Sequence, residues 1–227
     1  DLVAAARHFE RALQLDPNHP DILRDAAKLA NALDRSEEAV ALLESAVARD
    51  PVNPVGRSNL GLHYLYAGRW DESIRSYRRA LSLSPGMEGT HYNIGVVLLL
   101  KGEPEAALEE IQQEAGETWR LLGLAKAFHE LGRTAESDSA LAVLIKEYEQ
   151  GWAYNIAYVL AYRGDTDRAF EWLDKAVEYN DPGLPDIVTE NLFTNLRDDP
   201  RWLPFLESIG KSPEQLADIE FEVTLPE

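Results

Sequence analysis

Few of the residue types that perform chemistry stand at spacings that would let them act together. Five histidines, His8, His19, His63, His91 and His129, are scattered along the 227 residues. A helical zinc site needs a spacing such as His-Glu-x-x-His, and none occurs. Gly210-Lys211-Ser212 ends like a phosphate loop, but Phe205 stands where that loop needs its first glycine. Neither Gly-x-Gly-x-x-Gly nor Gly-x-Ser-x-Gly is present. With no cysteine, thiol catalysis, disulfides and zinc-thiolate sites are excluded. Paired acids such as Glu109-Glu110 and Asp198-Asp199 read as solvated helix faces. The expectation is therefore a protein that is not an enzyme, with no cofactor and no metal.

What recurs is a scaffold. Leu60-Gly61, Ile94-Gly95 and Ile156-Ala157 are each followed, seven residues after the small residue, by Gly68, Gly102 and Gly164. Ala12, Ala46 and Ala80 each precede a proline by five residues, and Pro17, Pro51 and Pro85 are 34 apart. Small residues mark close helix approaches, and glycine ends a helix in left-handed conformation. Polar or proline starters follow these turns: Asp71-Glu72, Pro104-Glu105, Thr134 and Asp165. They place acceptors and carboxylates near the next helix N-terminus. One such helix pair cannot bury its own apolar face, so neighbours must stack.

The 34-residue period and its residues resemble the tetratricopeptide repeat. Residues 54–87 carry Leu60, Gly61, Tyr64, Tyr77, Ala80 and Pro85, with Ser73 where the pattern has alanine. Further units read at 20–53, 88–117, 118–149 and 150–181. In the third, Glu114 falls on an alanine position and the unit is four residues short; in the fourth, Ser137 replaces alanine. Residues 1–19 look like the second helix of an earlier repeat, with Asp1 in mid-helix, so the chain is expected to be a fragment or trimmed product. The resemblance implies an all-α fold: a right-handed superhelix, an α-solenoid of antiparallel helix pairs, with C-terminal capping helices.

Residues 182–210 leave the repeat. Leu192, Phe193 and Leu196, then Trp202, Leu203, Phe205, Leu206 and Ile209, have helical spacing and predict two short helices covering the open end, the second starting at Asp199-Pro200. The stretch resembles the end cap of bacterial members of the family. Residues 211–227 form an acidic tail in which Ile219, Phe221, Val223 and Leu225 alternate with polar residues, a strand-like period. Either the tail is disordered, or it docks as an extended peptide on its own chain or on a neighbour.

The resemblance also implies a concave groove lined by the first helix of each pair. One inward position reads Asp25, Asn59, Asn93, Gly123 and Asn155. Asparagine amides both donate to and accept from a peptide backbone, which suits a sequence-tolerant grip; the alternative is that they satisfy neighbouring helices. Tyr154, Tyr158 and Tyr162 share one helix face, and Tyr66 and Tyr92 join them as candidate groove contacts; some of the three pack under the cap in the alternative reading. Tyr64 and Tyr77 belong to the core pattern. Arg24, Lys28 and Lys126 are the groove's isolated cations. In the carboxylate clamp of chaperone-binding relatives, only Asn59 of the expected set is matched and Arg24 keeps charge, which disfavours a Glu-Glu-Val-Asp-type partner.

The 40 acids against 22 Lys and Arg give a net charge of -18, which argues against nucleic acid and anionic membranes as partners. The longest apolar run, Ile94 to Leu100, falls short of the ~20 residues of a membrane span, and no signal peptide is visible. The expected function is a protein-interaction scaffold that binds an extended peptide segment in its groove. The alternatives are a structural or regulatory segment of a larger polypeptide, or a self-assembly module using the tail. The expected partner is thus a protein or peptide, with a homo-oligomer open, and the expected location is the cytoplasm.

Overall fold

The computed structural model describes residues 1–223; Leu225 of the alternating tail lies outside them. Its helices are α1 (Leu2–Leu15), α2 (Pro20–Ala32), α3 (Ser36–Arg49), α4 (Pro54–Tyr66), α5 (Trp70–Leu83), α6 (Thr90–Leu100), α7 (Pro104–Ile111), α8 (Glu117–Glu130), α9 (Thr134–Tyr148), α10 (Ala153–Tyr162), α11 (Thr166–Glu178), α12 (Trp202–Ser208) and α13 (Pro213–Ala217). Short 3-10 helices occupy Glu149–Gly151, Leu184–Asp186 and Asn191–Leu196. There is no strand among the described residues. The helices pack as the pairs α2/α3, α4/α5, α6/α7, α8/α9 and α10/α11.

The chain divides into two compact units. The first is Asp1–Pro85 together with the described residues from Leu203 onward; the second is Gly86–Trp202. In the first, α1 packs on α2, and α3 of one pair on α4 of the next. In the second, α7 and α6 pack on α8, α8 on α10, and the 3-10 helix Asn191–Leu196 on α10.

The turns within pairs share one conformation. Gly68, Gly102, Gly132 and Gly164 have φ between 69° and 78°. At Gly68 the N–H bonds Leu65 O, and the next N–H reaches back from Arg69 to Tyr64 O at 2.8 Å, a paired closure of the last helical carbonyls. Asp34 (φ 62°) fills the same repeat position without being glycine, and Asn180 (φ 53°) ends α11 in the same way. Because this closure sets the entry of the second helix, α3, α5, α7, α9 and α11 begin with no side-chain cap bond. The expected acceptor at Asp165 makes none. α2 and α4 are instead capped by His19 Nδ1 and by Asn53, which accept the N–H groups of Asp21 and Gly56. Asp1 accepts the Ala4 N–H at the start of α1.

The small residues stand where predicted. A Cβ on Gly61 would lie 2.9 Å from the Tyr77 ring, and one on Gly95 only 2.4 Å from Ile111 Cγ1. The two serines that replace alanine have a shared explanation. Ser73 Oγ donates to Gly61 O at 2.7 Å, and Ser137 Oγ donates to Ala125 O at 2.5 Å. In each pair, the second helix directs its buried hydroxyl at the first helix's carbonyl at the point of closest approach, so the polar group is satisfied where it is buried.

The C-terminal region differs from expectation in detail. Its first short helix is 3-10, and its second begins at Trp202 rather than Pro200. Asp199 still serves as the start signal: Oδ1 accepts the Arg201 N–H at 2.9 Å and its carbonyl accepts the Trp202 N–H at 2.9 Å.

Candidate functional site

The eleven candidate groove residues fall into two groups. In the first unit, α2 and α4 present theirs toward solvent. Arg24 is half-buried and its guanidinium pairs with Asp21 at 2.7 Å and Asp25 at 3.7 Å. Lys28 is exposed and pairs with Asp25 at 2.9 Å. Asn59 and Tyr66 are half-buried. Tyr66 stands edge-on to the His63 ring at 6.0 Å, and His63 Nδ1 contacts Asn59 O at 2.9 Å. Neither cation is isolated, as the sequence reading had it: acids three residues before Arg24 and Lys28 share their helix face.

In the second unit the chain covers most of its own candidates. Tyr92, Tyr154, Tyr158 and Lys126 are buried, Lys126 completely. They are not open contacts for a ligand in this structure. Lys126 Nζ donates to Tyr92 Oη at 2.9 Å, the Tyr92 and Tyr158 hydroxyls share a hydrogen bond of 2.8 Å, and Asn155 Nδ2 donates to Tyr158 Oη at 2.7 Å. The ammonium also lies over both rings, 4.7 Å from the centroid of Tyr92 and 4.6 Å from that of Tyr158. The ammonium is thus held by one hydroxyl and the rings of Tyr92 and Tyr158.

Burial pulls the Lys126 ammonium down to about 7, against the opposing charge of Glu190. Burial likewise pushes the Glu190 carboxyl up to about 7, although it accepts the Leu192 N–H and is near Lys126. The phenols of Tyr154 and Tyr158 are held above their ordinary range, first by burial.

What covers the cluster is the segment after the last repeat. Phe193 packs edge-on against Tyr154 at 5.4 Å and Tyr158 at 6.3 Å, and Trp202 packs on Phe193 at 5.8 Å. On the other side, Trp119 lies 5.1 Å from Tyr92 and 4.7 Å from Trp152. Tyr162 is half-buried beside Leu99, Ile111 and Ala127. Asn93 and Asn155 remain half-buried, so the asparagine positions stay more open than the tyrosines.

Two acids that sequence reasoning left unassigned hold this arrangement. Glu114, the departure from the repeat pattern, accepts the Tyr92 N–H at 3.2 Å and the Gly116 N–H at 2.9 Å. Asp181 repeats the device, accepting the Tyr154 N–H at 3.1 Å and the Gly183 N–H at 2.9 Å. Both carboxylates reach the first turn of a first helix, α6 or α10, where unpaired N–H groups and the helix dipole favour an anion. The signal was visible as an acid two residues before a glycine, at the end of a repeat.

Family models described as tetratricopeptide repeat match residues 1–58, 58–119, 121–150 and 153–181. A tetratricopeptide repeat and J domain-containing co-chaperone, DNJ1, of Fusarium oxysporum f. sp. lycopersici is 32% identical over 113 residues. That match covers 46% of this chain and 21% of the co-chaperone's length. Among solved structures, a thermophilic TPR protein of Thermus thermophilus aligns with TM-score 0.58 and 23% identity, covering 79% of this chain and 89% of the other. A tetratricopeptide repeat protein of Parabacteroides merdae ATCC 43184 aligns with TM-score 0.57 and 18% identity, covering 96% and 91%. At these identities the structures speak for the fold alone.

Proposed function

The chain belongs to the tetratricopeptide repeat family, and from that premise we propose that it is a non-catalytic interaction scaffold that grips an extended peptide on the α2 and α4 face of its first unit. Proteins of this family mediate protein–protein interactions. One observation carries the choice of face: Arg24, Asn59 and Tyr66 are half-exposed and Lys28 is exposed, while in the second unit Lys126 is buried, Phe193 covers Tyr154 and Tyr158, and Trp119 packs on Tyr92. An amide and a phenol that keep solvent contact can exchange water for a peptide backbone without breaking a packed core. The likeness to part of a co-chaperone supports a polypeptide as the partner. Arg24 pairs with Asp21 and Asp25 and Lys28 with Asp25, which favours a peptide of mixed charge over a strongly acidic one.

The experiment is a peptide-array screen on the whole chain, followed by titration of each hit against Asn59→Ala and Tyr66→Ala. Both variants should retain the wild-type far-UV circular dichroism and lose at least about fivefold in affinity, the scale of one or two interface hydrogen bonds. Hits that bind both variants as tightly as wild type would place the contact elsewhere and refute this face.

A further inference from the structure

The first unit is completed by a stretch of chain from the far end of the sequence, and the way it is held is that of a ligand. After α13 the chain runs extended along α1 and the turn between α2 and α3. Ile219 and Phe221 are buried, while Glu220 and Glu222 between and after them are exposed. The Arg35 guanidinium forks onto two carbonyls two residues apart: Nη1 donates to Phe221 O at 2.7 Å and Nη2 to Ile219 O at 2.7 Å. In extended chain, carbonyls at i and i+2 point the same way, so the fork reads backbone shape. Glu10 Oε1 reads it from the other side, accepting the Glu222 N–H at 2.7 Å.

The recognition is therefore divided. Main-chain groups are read by Arg35 and Glu10, and side-chain selection rests on two apolar positions with acids between them. Arg7 and Glu10 of α1 line an open cleft with Asp218, Ile219 and Glu220. The segment's root is anchored separately. Lys211, of the discarded phosphate-loop phrase, is buried and donates to Ala32 O at 2.9 Å. It supplies the cation that α2 lacks in its own last turn. Releasing residues 218–223 leaves that anchor in place.

We propose that this site, formed by Glu10, Arg35 and the surface that buries Ile219 and Phe221, is a receptor for an extended segment of a partner protein in which two apolar residues alternate with acids, and that the chain's own tail occupies it as a built-in competitor. It is separate from the α2 and α4 face proposed above and stands without it. A tethered tail competes at an effective concentration near millimolar, so the partner binds well only when its segment outcompetes the tail or when the tail is released.

The probe is a fluorescein-labelled peptide with the sequence of residues 216–223, followed by anisotropy with the whole chain. The double variant Ile219→Asp/Phe221→Asp, which releases the tail, should bind it at least about tenfold more tightly than wild type. Adding Arg35→Ala to that variant should weaken binding by at least about tenfold, the scale of two charge-assisted bonds. Adding Asn59→Ala should change nothing. A control peptide with aspartate at both apolar positions should not bind.

Circular dichroism must match wild type in each variant; if Arg35→Ala disturbs the fold, Arg35→Lys, which keeps charge but loses the fork, takes its place. A folded double variant that fails to bind the peptide overturns the proposal. So does equal binding with and without Arg35. A wild-type dimer that forms with rising concentration and that excess peptide disperses would mean that the site takes another copy, and would overturn the partner reading.

Discussion

Lys126→Met tests the chemistry of the buried cluster. Methionine matches the length of the lysine stem and sits well against aromatic faces, so the change removes the charge with little loss of volume. Lys126 is lowered to about 7 in the folded chain, mainly by burial, and returns to its ordinary value, about 10.4, on unfolding. Between those values the unfolded chain binds a proton that the folded chain has shed. Stability must then rise with pH by up to about 1.4 kcal/mol per unit.

Between pH 7.5 and 9.5 the wild type should gain about 2 kcal/mol from this residue, a gain absent in the variant. Glu190 acts with the opposite sign. Its raised value means stability present at low pH and lost as pH rises through about 7. Without Lys126 nearby that loss moves to higher pH, which widens the gap between the proteins. All other groups titrate in both and cancel. Urea unfolding followed by tryptophan fluorescence reads the effect, with Trp119 lying 5.1 Å from the Tyr92 ring. If the two stability curves run parallel across this window, Lys126 stays charged in the folded state and the reasoning is wrong.

Other substitutions have equally definite outcomes. Gly95→Ala, whose Cβ would fall 2.4 Å from Ile111 Cγ1, should lower stability by about 1–3 kcal/mol through overpacking, seen as a lower urea midpoint. Gly102→Ala meets open space and should cost only about 1 kcal/mol, from its positive φ. Glu114→Ala strands the buried N–H groups of Tyr92 and Gly116 and should cost about 1–3 kcal/mol, with faster amide exchange at Tyr92. Phe193→Ala should cost about 3–5 kcal/mol and render Tyr154 and Tyr158 reactive to nitration, as mass spectrometry would show.

The repeat was legible because its determinants are local. Pro51 and Pro85, the small residues at 61 and 95 and the turn glycines each act within one helix pair, so a period of 34 residues exposes them. Asp34 and Asn180 gave no turn signal in the sequence because glycine is the residue that marks the left-handed conformation, although aspartate and asparagine also adopt it. The candidate site was half legible. Helical geometry gave the direction in which Tyr92, Lys126, Asn155 and Tyr158 point, and they do converge. Whether that face meets solvent depended on the route of residues 182–202, which carry no repeat to reveal it. Lys126 read as an isolated groove cation because Tyr92 stands a full repeat before it and Tyr158 nearly a full repeat after it. The alternation of Ile219 and Phe221 was visible, but its docking surface, Arg35 and Glu10, lies at the other end of the sequence.

That return of the tail sets an order of events during synthesis. Arg35 bonds a carbonyl 186 positions later, and Glu10 an amide 212 positions later. The second unit is built from one continuous stretch and can form while residues 203–223 are still unmade. Most of the first unit is translated earlier, yet its contacts with residues 219–222 come only after the second unit is made, and their long loops slow that step. A nascent chain therefore passes through a stage in which the earlier-made part waits, with the surface for Ile219 and Phe221 uncovered, for residues 219–222 to arrive. It is in that interval that a chaperone or a premature partner would find it open.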